Sequence, residues 1–129
     1  MDVRSIYPHP ELGFVEANDV RGAQRTVVCA GMVSIDPETF QPLHAGDMRA
    51  QLAKALDNLD RVLTAAGLTL AHVVRLNYYT TDVEGFLAAL DVVVSRLTEA
   101  DCHPASTLLG VNRLFLPELL IEIEATAMA

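Results

Sequence analysis

Two hydrophobic periods alternate along this chain, and their order predicts its elements. Thr26-Val27-Val28-Cys29-Ala30-Gly31-Met32-Val33 is a β-branched apolar run, the signature of a buried strand. Gly31 inside that run marks a bulge or a close backbone approach. From Asp47 the period changes. Met48, Leu52, Ala55, Leu56, Leu59, Val62, Leu63 and Ala66 recur at steps of three and four, which makes one apolar stripe on a helix. Asp47 suits its N-cap and Gly67 its stop. Val73–Thr80 reads as a strand, and Thr81-Asp82-Val83-Glu84 as a capping box for a second helix. Phe86, Leu87, Leu90, Val93, Val94 and Leu97 form that helix's stripe, and His103-Pro104 ends it. Two more strands follow, about Ser106–Leu114 and Leu119–Ala127.

The chain before Thr26 is less regular. Tyr7-Pro8-His9-Pro10 reads as an irregular lead-in, Gly13–Ala17 as a short strand, and Asn18-Asp19-Val20-Arg21-Gly22 as a turn. The predicted order is β-β-α-β-α-β-β: one α+β domain over residues 1–129, with two helices of about 20 residues on one face of a mixed sheet. That leaves the other sheet face uncovered. Leu76, Tyr78 and the last strands are expected to show it an apolar surface, and such a surface marks an interface.

Charge and composition narrow the partners. Seventeen acidic residues against nine Lys and Arg give a net charge of -8. Phosphate binding works by releasing counterions to basic side chains, so nucleic acid is not an expected partner. No apolar run reaches the length of a membrane span, and the N-terminus has no secretory pattern. Cys29 and Cys102 are too far apart to suggest a metal motif or a disulfide framework, which favours two reduced thiols in a cytoplasmic protein. Cys29 reads as buried and Cys102 as exposable. The four histidines are scattered singly and no glycine-rich phosphate loop occurs, so no metal or cofactor is expected.

The sharpest chemical feature is Leu120-Ile121-Glu122-Ile123-Glu124-Ala125. Period two places Glu122 and Glu124 on one face and both isoleucines on the other. Either the carboxylates are solvated on a half-exposed strand, or one lies in a cleft where desolvation makes it a general acid or base.

Taken in order, several pieces resemble the RidA (YjgF) family of reactive intermediate deaminases. They are Cys29-Ala30-Gly31-Met32-Val33-Ser34-Ile35-Asp36-Pro37-Glu38-Thr39, Gln51 with Ala55-Leu56-Asp57-Asn58-Leu59, Ala65-Ala66-Gly67-Leu68, Val73-Val74-Arg75-Leu76, Pro104-Ala105-Ser106-Thr107 and Ile121-Glu122-Ile123-Glu124-Ala125. The resemblance implies a chorismate-mutase-like fold and a homotrimer with small-molecule clefts between subunits. It also implies hydrolysis of imines and enamines, such as 2-aminoacrylate, to ketoacids and ammonia. By the same resemblance Glu122 is the catalytic carboxylate that positions water, while Gly31 and the backbone at Leu108 face the ligand. Phe14 is the nearest counterpart of a family tyrosine. Ser106 stands where active members carry an arginine that clamps the substrate carboxylate, and Leu90 and Val93 stand where many carry Asn and an aromatic.

Losing a bidentate clamp costs more than one charged hydrogen bond, itself worth roughly 1.5–3 kcal/mol. A neutral or less acidic ligand is therefore expected, contacting Ser106, Thr107 and Glu122, unless Arg113 or Arg75 replaces the clamp. A non-catalytic trimeric metabolite-binding protein is the competing expectation.

Overall fold

Helix α1 (Met48–Ala65) forms where the stripe predicted it. Asp47 caps it, its Oδ1 accepting from the Ala50 N–H at 3.0 Å. Leu52, Leu56, Leu59 and Leu63 lose all solvent contact, each worth roughly 1.5–3 kcal/mol of burial.

The computed structural model describes residues 1–129. Besides α1, the order is β1 (Asp2–His9), β2 (Phe14–Arg21), β3 (Thr26–Val28), β4 (Met32–Val33), then after the helix β5 (Val73–Thr80), α2 (Val83–Ala88), α3 (Leu90–Glu99), β6 (Ala105–Gly110) and β7 (Ile121–Met128). The seven strands form one mixed sheet in the order β1-β2-β6-β5-β7-β3, with β4 also on β7. Strand β6 is parallel to β2 and β5; the other pairs are antiparallel. This is the two-layer α+β arrangement expected. No helix is long and apolar enough to cross a membrane.

Three local expectations are corrected. Residues 2–9 are a strand, not an irregular lead-in, paired with β2 from Asp2↔Arg21 to His9↔Phe14. Strand β1 lies at the sheet's edge, so Pro8 removes no ladder bond that a neighbour needs. Asn18 and Asp19 are mid-strand rather than a turn. Asn18 Nδ2 reaches the carbonyls of Val74 and His103, both at 2.9 Å, so a turn-forming residue here stitches two chain segments to β2. The second helix is two pieces meeting at Ala89, whose N–H bonds back to Phe86 O, three residues earlier. The stripe runs through that joint unbroken, and side-chain spacing alone does not register it.

The exposed sheet face is also not what the pattern suggested. Leu76, Tyr78, Ile121 and Ile123 are all buried on the helix side. The opposite face carries Arg75, Asn77, Tyr79, Glu122, Glu124 and Thr126, because alternation in β5 and β7 is in phase. It is mostly polar, with Val28 and Leu109 as its exposed apolar members, so the continuous apolar surface expected there is reduced to two separate side chains.

One loop residue is held against its preference. Phe40 sits at φ +61° with 63% of its surface exposed, and its N–H bonds to Asp36 O at 2.8 Å. A left-handed conformation costs a residue with a Cβ roughly 1–2 kcal/mol, and glycine returns part of that as unfolded-chain entropy. Phe40→Gly is expected to raise stability by about 0.5–1 kcal/mol in urea titration. A loss instead would mean that the ring's contacts outweigh the strain.

Candidate functional site

Glu122 is positioned by the strands around it. In β7 it pairs with Val33 of β4 on one side and Tyr79 of β5 on the other. The start of β7 is pinned by the fully buried Gln51 of α1. Its Nε2 donates to His44 O at 3.1 Å and Glu118 O at 2.9 Å, and its Oε1 accepts from the Leu120 N–H at 2.8 Å.

Gly31 belongs to this site. The pairing steps from Val28↔Thr126 to Met32↔Ile123, so Cys29, Ala30 and Gly31 stand opposite only Glu124 and Ala125. This is the bulge its glycine predicted. A Cβ on Gly31 would lie 2.8 Å from Glu122 Cγ and closer still to the carboxylate. The missing side chain is the space that the Glu122 carboxylate occupies. None of the chain's ion pairs includes Glu122. Burial first, and the neighbouring Glu124 second, push its carboxyl above the usual glutamate range.

Glu124 is satisfied differently. Tyr79 OH donates to its Oε1, and Asn77 Nδ2 donates to the same oxygen at 3.3 Å. That hydrogen bond, followed by burial, raises the Tyr79 phenol. Asn77 Oδ1 is buried without a partner. Tyr79 and Asn77 were not anticipated as site residues: period two puts them on one face of β5, but only the register with β7 puts that face beside Glu122 and Glu124.

Phe14, Ser106 and Leu108 come together elsewhere, on the helix side of the sheet. They line a cavity of about 300 Å³ with Leu12, Gly13, Tyr78, Phe86, Leu87 and Leu90. Ser106 Oγ is buried and has no hydrogen-bond partner. Of the other lining residues, Phe86 and Leu87 belong to the predicted helix stripe, and Tyr78, expected on the uncovered sheet face, lies instead on the helix side.

The expected residues therefore fall into two groups that cannot meet within one chain. Leu108 pairs with Tyr78, which pairs with Ile123, all in the helix-facing row. Glu122 pairs with Tyr79, which pairs with Leu109, in the opposite row. Thr107 goes with the second group and receives a hydrogen bond from Arg75 at 3.4 Å. Ser106 and Thr107 thus point to opposite faces, and the expectation that one ligand contacts both within a chain is corrected. Neither arginine considered as a substitute clamp lines the Ser106 cavity. Arg113 turns to the carbonyl of Leu114 at 3.3 Å, and Arg75 lies across the sheet. Cys102, read as exposable, is buried with its thiol pushed up to about 12 by burial. Cys29 is buried as expected, and both thiols are free.

Comparison with known proteins supplies the context. The chain matches the family model described as Endoribonuclease L-PSP over residues 7–129. A RutC family protein of Pyrococcus horikoshii is 35% identical over 98 residues, covering 76% of this chain and 75% of that one. The 2-iminobutanoate/2-iminopropanoate deaminase of Salmonella typhimurium is 30% identical over 103 residues, covering 79% and 78%. Among solved structures, a Rid-family protein of unknown function from Yersinia pestis matches with a TM-score of 0.89 and 37% identity over the whole of both chains.

Proposed function

The chain belongs to the endoribonuclease L-PSP family, also called the RidA or YjgF family, and from that premise we propose that it is a small-molecule hydrolase of C=N bonds. It works as a cytoplasmic homotrimer, with one cleft at each subunit boundary. The observation that carries the reading is the division of the site. Glu122 and Gly31 occupy one sheet face and Phe14, Ser106 and Leu108 the other. A neighbouring subunit is what unites the two halves into one cleft.

In that cleft the Glu122 carboxylate accepts a proton from water. The water oxygen bonds to the imine carbon as Glu122 passes the proton on to the imine nitrogen, and the resulting carbinolamine collapses: its hydroxyl proton moves to nitrogen, the C–N bond breaks, and ammonia leaves as the carbonyl forms. A carboxylate with a raised pKa and no cation beside it is a competent base near neutral pH. The relationship to the Salmonella deaminase supports the reaction class. With Ser106 in place of a clamping arginine, amino-acid-derived imines are poor substrates.

Sedimentation and an imine panel test this reading. A trimer is expected, with slow turnover of 2-aminoacrylate generated in situ and faster turnover of uncharged imines. A monomer overturns the composite cleft. A trimer that binds ligands but hydrolyses none of the panel favours the competing reading, a metabolite-binding or regulatory protein, which the absence of the arginine supports.

A further inference from the structure

The wall of the Ser106 cavity carries no charge. Nine residues line it, and none is ionised: six apolar side chains from Leu12, Phe14, Phe86, Leu87, Leu90 and Leu108, with Gly13, Tyr78 and Ser106. Tyr78 is buried, and its phenol is pushed far up by that burial, so it stays neutral. At about 300 Å³ the space lies at the lower end of the roughly 300–1,000 Å³ that small-molecule sites occupy. Ser106 lines it, and the Ser106 hydroxyl is buried with no hydrogen-bond partner. A buried hydroxyl left unpaired is costly to the folded protein, and a ligand oxygen or N–H at Ser106 removes that cost.

We propose that this cavity receives the uncharged, apolar substituent of the substrate, with one hydrogen bond to Ser106. The imines served are then those of neutral ketones or aldehydes: R₂C=NH and water give R₂C=O and ammonia. This deepens the hydrolase reading and rests on it for the reaction class, whereas the ligand class follows from the cavity itself. A carboxylate placed against this wall loses its hydration shell and meets no cation on it in return, a penalty that one hydroxyl does not offset. The chain's charge of -8 adds repulsion at longer range.

Calorimetry on the intact protein with acetophenone and phenylglyoxylate tests the ligand class. The two share a phenyl ketone and differ by a methyl group against a carboxylate. Acetophenone is expected to bind at least about tenfold tighter, the equivalent of one charged-group interaction. Ser106→Ala is expected to weaken acetophenone binding severalfold without lowering the thermal midpoint, since it removes an unsatisfied group; a purely structural serine would show the opposite pattern. Ser106→Arg is expected to reverse the preference. Equal or tighter binding of phenylglyoxylate by the wild type, binding of neither probe, or indifference of acetophenone to Ser106→Ala overturns the proposal. Because binding is read without turnover, wild-type protein that prefers acetophenone yet hydrolyses no imine keeps this inference and discards the hydrolase reading.

Discussion

Glu122→Gln is expected to cut imine hydrolysis by roughly 10²–10⁴-fold, the usual contribution of a positioned acid or base, while leaving ligand binding nearly intact. Glutamine keeps the shape of the side chain above Gly31 but cannot accept the water's proton. The same substitution has a second signature, in stability. The folded-state pKa of Glu122 is raised, so between the unfolded value and the raised one the native protein holds more protons than the unfolded chain. Stability therefore falls as pH rises through that window, and the penalty persists above it. Glu122→Gln removes the charge and the penalty together. Its thermal midpoint is expected to exceed the wild type's at pH 7 and to converge with it at pH 4 or below. In the wild type, kcat/KM is expected to fall as pH drops through the raised pKa, because the base becomes protonated. Retained activity in Glu122→Gln refutes the catalytic assignment. A lower midpoint at pH 7 refutes the electrostatic account of the carboxylate.

The pairing of a catalytic loss with a stability gain reflects how the site is built. An unpaired carboxylate half-buried next to Glu124 is a poor choice for folding and a good one for taking a proton. Ser106 shows the same feature in neutral form, since its buried hydroxyl has no hydrogen-bond partner. Tyr79 and Asn77 donate to Glu124 and satisfy it, whereas Glu122 has no such partners.

Some of this was legible in the sequence because it depends on local period. The α1 stripe and the shared face of Glu122 and Glu124 follow from 3.6- and 2-residue spacing, and the Asp47 cap and Gly31 bulge from what those residue types do beside or within such a run. What failed depends on position in the sheet. Pro8 was read as a breaker because the sequence does not announce that β1 is an edge strand. Asn18 and Asp19 looked like a turn because the carbonyls that Asn18 reaches lie 56 and 85 residues away. The separation of Ser106 from Glu122 was hidden for a related reason. Each strand's alternation is readable alone, but which face one strand shares with another is set by register. Only the pairing of Leu108 with Tyr78 and of Tyr79 with Glu122 shows that the two groups face apart.

Gly31→Ala should then disable the site almost as thoroughly as losing the carboxylate, though it adds only a methyl group. The backbone of Gly31 is not in the left-handed region, so alanine can adopt it. The obstacle is the added Cβ, 2.8 Å from Glu122 Cγ. Strand β7 cannot retreat, since Glu122 is paired to β4 and β5 on its two sides. The side chain must swing away instead, and a misplacement of about 1 Å at a reacting group can cost roughly 10²-fold. Turnover in Gly31→Ala is expected to drop by about that factor, at an overpacking cost of roughly 1–3 kcal/mol in stability. A double-mutant cycle isolates the cause. In Glu122→Ala the clashing Cγ is gone, so adding Gly31→Ala to it is expected to cost little further stability, giving a coupling energy well outside additivity. Additive losses would mean that the methyl group strains the bulge itself and that Gly31 holds the chain's shape without clearing space for the carboxylate.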